Sequence, residues 1–263
     1  LHTFFICKEL TYFNYFIMKI NQSTLDEIKR GLKNNGYFIY QKFINKEICL
    51  LAKNEYYACQ ISSDLHSQVE VFLPKDLLDK CWRKTAIGSG NGLGEKYSQV
   101  LQTTYIPLKE TEGFKNLSFC FKEAVQLRNQ LTNMERDFGF EGSFETGTYW
   151  NALRIHHYPC GGGHMAEHAD TYFPSILSES NRPFVQVVIC LSNRHIDFNE
   201  GGGFIIDRSN KKVFFEDTES MGSVIIFDGS LRHGVEDIDP GKVLDWKSNQ
   251  GRIALFSNLY VNR

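Results

Sequence analysis

Charge of a single sign is missing from this chain: 29 Lys and Arg against 31 Asp and Glu leave a formal net charge of −2 over 263 residues. A duplex nucleic acid calls for a concentrated basic patch, so that class of partner is not expected. Long hydrophobic runs are missing as well. The apolar, aromatic run in residues 1–17 is broken by Lys8 and Glu9, is too short for a bilayer, and offers no small-residue cleavage site. No Pro- or Ser-rich tract, internal repeat or low-complexity segment divides the chain. Paired cysteines are absent too, since Cys7, Cys49, Cys59, Cys81, Cys120, Cys160 and Cys190 are odd in number and scattered without metal-type spacing. They read as thiols of a reduced, cytoplasmic chain with no membrane partner.

What is present suits one catalytic domain. A hydrophobic fraction of 42% over this length is enough for a sizeable core. Residues 1–17 are expected to be non-native or an upstream extension, because Met18-Lys19-Ile20-Asn21 begins what looks like an ordinary enzyme start. Residues 18–263 are expected to be a single domain, with helical support over about 18–140 and a β core over about 146–263. In the support, Ser23 reads as the N-cap of a helix carrying Leu25, Ile28 and Leu32 at helical spacing, stopped by Gly36. Asn45 precedes a second helix at about 46–60, and a third spans about 116–137. The run Gly88-Ser89-Gly90-Asn91-Gly92-Leu93-Gly94, within 84–107, is too glycine-rich for a regular element. No Lys-Ser/Thr pair follows it, so it is read as a mobile lid rather than a phosphate loop.

Three side chains in the C-terminal half carry the chemistry. In an extended strand His168 and Asp170 point to one face while Ala169 points away. His233 lies far downstream, so a rolled sheet can bring it to the other two. Two imidazoles and a carboxylate form a facial set that suits Fe(II) and leaves coordination positions open. Short apolar runs bounded by turn residues surround them: Val185–Leu191, Ser223–Phe227, Phe204–Asp207 after Gly201-Gly202-Gly203, and the strand opened by Gly251-Arg252-Ile253. Upstream, one face of Tyr149–Tyr158 holds Asn151, Leu153, Ile155 and His157. The other holds Trp150, Ala152, Arg154, His156 and Tyr158, and alternation alone leaves open which faces inward.

In this order, His-x-Asp, a Gly-Gly strand, Gly-x-x-x-x-Phe-Asp, His and Gly-x-Arg resemble the Fe(II)/2-oxoglutarate-dependent oxygenase superfamily, most closely over residues 146–263. The resemblance implies an α+β chain with a mainly β core, a double-stranded β-helix (jelly roll) buttressed by N-terminal helices. It implies Fe(II) on His168, Asp170 and His233, with 2-oxoglutarate and O2 as cosubstrates and Arg252 on the distal carboxylate of 2-oxoglutarate. By the same analogy Tyr158 and Asn151 are candidates to touch the cosubstrate, and Arg154, His164 and Asn249 the substrate. Retention of Asp170 argues against halogenation, since related halogenases carry a small residue there. Hydroxylation of an unactivated carbon in a small molecule such as a free amino acid is the expected reaction. Three alternatives stay open: hydroxylation of a peptidyl side chain, a non-oxidative cupin-like metal enzyme, and a catalytically silent binding module.

Overall fold

The computed structural model describes residues 20–59, 61–66, 81–86, 98–109, 112–140, 145–170, 175–179 and 181–262. The expectations for residues 1–17 and for the glycine run 88–94 lie outside them. In chain order the elements are α1 (Gln22–Asn35), β1 (Tyr37–Tyr40), α2 (Lys46–Ala58), β2 (Ile61–His66), β3 (Cys81–Ala86), β4 (Ser98–Gln99), β5 (Leu101–Tyr105), α3 (Lys115–Leu131), β6 (Tyr149–Pro159), β7 (Gly163–His168), α4 (Ser175–Glu179), β8 (Val185–Cys190), β9 (Gly202–Ile206), β10 (Lys212–Phe214), β11 (Val224–Asp228), β12 (His233–Ile238) and β13 (Gly251–Val261). No helix among the described residues is long and apolar enough to cross a membrane. None of the six described cysteines forms a disulfide.

Two sheets form the body: an eight-stranded one ordered β1-β11-β8-β13-β6-β5-β3-β2 and a five-stranded one ordered β10-β9-β12-β7-β4. The order follows from burial. β8 is buried along its whole length, which is why it reads as an unbroken apolar run and sits inside the large sheet. Alternation divides the large sheet into two faces. Leu153, Ile155, Val187, Ile189, Val224, Ile226, Ile253 and Leu255 face outward and share a core with Ala52, Tyr56, Phe121, Ala124 and Val125 of the helices. Val188, Cys190, Ile225, Phe227 and Ala254 face inward and meet Ile205 and Phe215 of the small-sheet side. Each Val, Leu, Ile or Phe among them, fully buried, contributes about 1.5–3 kcal/mol.

The helices differ from expectation at their ends. α1 is capped by Asn21, whose side chain accepts from Thr24 N at 2.9 Å, so Ser23 lies inside the first turn. Gly36 ends it at φ 83°, a left-handed position that favours glycine. Asn45 caps α2 by accepting from Glu47 N at 2.7 Å. α3 stops at Leu131, short of 137, because the Thr132 hydroxyl takes the carbonyls of Arg128 and Asn129 and Asn133 turns to φ 53°. The support is also less helical than expected. β2, β3 and β5 extend the large sheet beyond β6, so parts of the segment read as a loop at 84–107 are strand.

Candidate metal centre

His168 and His233 are direct partners in the β7–β12 ladder, and their rings lie 4.4 Å apart. Asp170 lies two residues past His168, just beyond β7, with Ala169 exposed between them. The carboxylate Oδ1 stands 3.8 Å from His168 Nε2 and 3.9 Å from His233 Nε2. Donor atoms of all three residues fall within 4.8 Å of one another. In a facial set two donors about 2.1 Å from one ion lie about 3 Å apart, so each His–Asp pair closes on an ion by a side-chain movement of about 1 Å.

Hydrogen bonds outside the cluster set its chemistry. His168 Nδ1 lies 2.8 Å from the Ala166 carbonyl, and His233 Nδ1 lies 2.9 Å from the Leu231 carbonyl. A carbonyl only accepts, so both Nδ1 atoms carry the proton and both Nε2 atoms present a lone pair to the cluster. Burial also holds His233 below the ordinary imidazole value, favouring the neutral form that metal ligation requires. Asp170 is fixed from its far side, where Oδ2 accepts from Gln186 Nε2 at 2.8 Å and leaves Oδ1 for the cluster. Neutral nitrogens and one carboxylate, with no thiolate, fit Fe(II) rather than zinc in a thiolate site.

Arg252 opens β13 and faces inward opposite Tyr158, its guanidinium 5.6 Å from that ring. It is 4% exposed. Its Nε donates to Glu216 Oε1 at 2.6 Å, while Glu216 Oε2 accepts from Gly203 N at 2.8 Å. A buried charge needs such a partner. The two terminal nitrogens make no other hydrogen bond among the described residues, so the fork stays available to an anion. Room for it comes from the glycine strand: a Cβ at Gly203 would lie 2.4 Å from Arg252 Nη2.

Arg154 shares the inward face of β6 with Tyr158, in register with Phe256 of β13. Three of the other expected contacts are not brought here. Asn151 lies on the opposite face of β6, where it accepts from Arg128 at 2.9 Å and donates to the Phe138 carbonyl; strand alternation turns it toward α3. His164 is partnered by the exposed Asp237 at 3.1 Å. The β7–β12 register shifts between His233 and Val235, so Met165 and His168, three residues apart, both face inward, and His164 falls on the other side. Asn249 is exposed in the loop before β13, and its carbonyl accepts from Tyr57 of α2. Gln186 and Glu216 were missed in the sequence. Gln186 had a signal, as the one polar residue in Val185–Leu191.

No protein-family model and no curated protein matches the sequence, but solved structures match its shape. A prolyl hydroxylase from Trichoplax adhaerens, in complex with a hypoxia inducible factor oxygen degradation domain peptide fragment, aligns over 91% of this chain and 90% of its own, with TM-score 0.55 and 14% identity. A Pseudomonas putida prolyl-4-hydroxylase aligns over 91% of this chain and 99% of its own, with TM-score 0.51 and 15% identity. SnoN, a non-heme alpha ketoglutarate dependent epimerase from nogalamycin biosynthesis, aligns over 92% and 84%, with TM-score 0.53 and 11% identity. With helices on the outer face of the large sheet and a His-Asp-His cluster between the sheets, this chain has the double-stranded β-helix fold of the 2-oxoglutarate-dependent oxygenases.

Proposed function

We propose that this protein is an Fe(II)- and 2-oxoglutarate-dependent dioxygenase that hydroxylates an unactivated carbon of a small molecule. One observation carries the reading: two histidines whose Nδ1 protons are engaged by carbonyls turn both Nε2 lone pairs, with one Asp170 oxygen, toward a common point. His168, Asp170 and His233 would hold the metal. Iron with 2-oxoglutarate supplies, when bound, the oxidation of a C–H bond by O2, with succinate and carbon dioxide as the other products.

The residues of the chain bind, orient and exclude water. Arg252 offers its two terminal nitrogens to the distal carboxylate of 2-oxoglutarate, with Glu216 holding the guanidinium from behind. Tyr158 stands beside that cation. Phe227 packs 5.1 Å from the His233 ring and Phe215 stacks on Phe227, so the cluster has an apolar wall that limits water. Cysteines without disulfides among the described residues fit a reducing compartment, and the cytoplasm is the proposed location.

Anaerobic titration of metal-free protein with Fe(II) and then 2-oxoglutarate tests this. A visible charge-transfer band should form in the wild type and not in Asp170→Ala or His233→Ala, with the fold of each variant checked by circular dichroism. Iron binding without a band would favour the cupin-like alternative. Absence of iron binding would sink the enzyme reading.

A further inference from the structure

Arg128 of α3 is a buried cation with no carboxylate partner among the described residues. It is 5% exposed, and its hydrogen bonds all go to neutral amide oxygens. Nε and Nη2 donate to Asn129 Oδ1 at 3.3 and 2.7 Å, and Nη2 also donates to Asn151 Oδ1 at 2.9 Å. Nη1 is buried without an acceptor. Burial lowers the guanidinium to about 10 with no neighbouring anion to raise it, so it keeps its charge at neutral pH. A charge taken out of water is costly unless it is paired. This one is held in place by its work in the fold: it orients Asn129 and Asn151, whose amides tie down the carbonyls of Arg136 and Phe138 beyond α3.

A gap in the large sheet opens beside it. The β8–β13 ladder ends at the Val188–Phe256 pair, although β13 runs on to Val261. Beyond that pair a cleft runs between Gln186 of β8 and Ser257 and Asn258 of β13, lined on the helix side by Arg128 and Thr132. Its volume of about 20 Å³ holds one water-sized particle. The Thr132 hydroxyl is engaged by the carbonyls of Arg128 and Asn129, but Ser257 Oγ is buried with no partner. Asn258 Oδ1 is buried with no partner as well; turning its amide over exchanges the oxygen for an NH2 of similar size and adds a donor. A water there would meet the hydrogen bonds and leave the charge of Arg128 uncompensated. A carboxylate or phosphate ligand would exceed the volume. A single monatomic anion meets both requirements.

We propose that this gap is a halide site, with one chloride ion held by Arg128 Nη1, the Ser257 hydroxyl and the turned amide of Asn258. The ion is the missing counter-charge of α3 and plugs the sheet where β8 and β13 part. None of the three residues belongs to the His168, Asp170 and His233 cluster, so the site stands independently of the reading of that cluster.

Thermal unfolding of the metal-free protein in rising chloride or bromide, with gluconate holding the ionic strength constant, tests it. The midpoint should climb and level off with either halide and stay flat with gluconate alone. Ser257→Ala removes one hydrogen bond to a charged partner and should raise the half-saturating halide concentration about 10-fold or more. Ser257→Asp supplies a tethered carboxylate in place of the ion and should be indifferent to added halide; the two variants also separate this site from halide resting on Arg252. Crystals grown in bromide should give an anomalous peak within hydrogen-bond reach of Arg128 Nη1 and Ser257 Oγ. A midpoint that ignores halide, or that rises equally in the wild type and Ser257→Asp, overturns the proposal. So does a cleft that holds only water in bromide-grown crystals.

Discussion

Replacing Glu216 with glutamine asks how the barrel interior tolerates Arg252. Glu216 presents one oxygen to each of two donors, Oε1 to Arg252 Nε at 2.6 Å and Oε2 to Gly203 N at 2.8 Å. The two side chains of the ion pair are 5% and 1% exposed, so water cannot take over either role. Glutamine keeps the volume but has one acceptor oxygen, and its NH2 must face one of the donors. A buried donor left unmet costs about 1–3 kcal/mol. The uncompensated guanidinium moves the total toward the roughly 3–5 kcal/mol seen when one member of a buried pair is removed. Urea unfolding should therefore show a lower midpoint with an unchanged slope. Saturating 2-oxoglutarate and Fe(II) should raise the midpoint more in Glu216→Gln than in the wild type, because the cosubstrate carboxylate becomes the only anion on Arg252. A loss below about 1 kcal/mol, or an equal midpoint rise in both proteins, would refute the reasoning.

Gln186→Leu should leave Asp170 Oδ2 without its donor and weaken Fe(II) binding about 10- to 100-fold, read by competition with a chelator. Gly203→Ala would place a Cβ 2.4 Å from Arg252 Nη2 and 2.7 Å from Phe215, so overpacking of about 1–3 kcal/mol should appear in urea unfolding. Buried His157 is met when neutral, Nδ1 accepting from the Tyr56 hydroxyl and Nε2 donating to the Gln250 carbonyl. Burial first of all lowers its pKa to about 4, so the unfolded chain binds the proton more readily than the folded one. Stability should be full above the unfolded value of about 6.5 and fall by about 3 kcal/mol as the pH drops to about 4. His157→Gln should flatten that pH dependence in unfolding measured between the two ends.

The reach of the sequence follows from how local each signal is. The expected cluster of His168, Asp170 and His233 needed only strand alternation and a rolled sheet, and the three do converge. β8 and β11 were readable because burial on both faces leaves an apolar run. β5, Leu-Gln-Thr-Thr-Tyr, was not, because Gln102 and Thr104 are buried polar residues in a strand whose place is set by β3 and β6. The inward face of β6 stayed open for the same reason: both of its faces are largely covered, and only the helix-side core that Leu153 and Ile155 join shows which way Asn151 points. His164 falls on the other side of β7 from His168 because the shifted register breaks the period of two. Glu216 and Gln186 act through partners on other strands, and a single sequence does not pair them.

The three donors of the cluster are braced in unlike ways. Each histidine leans on a carbonyl two residues earlier in its own stretch of chain, so its orientation is settled as soon as β7 and β12 pair. Asp170 answers instead to Gln186, on a strand of the opposite sheet. An ion gripping all three would act as a clasp across the sandwich, engaging fully only when the two halves of the barrel have closed on each other. Its affinity is then a gauge of that closure: any change that wedges the sheets apart, however far from the histidines, should register first as a loosened metal.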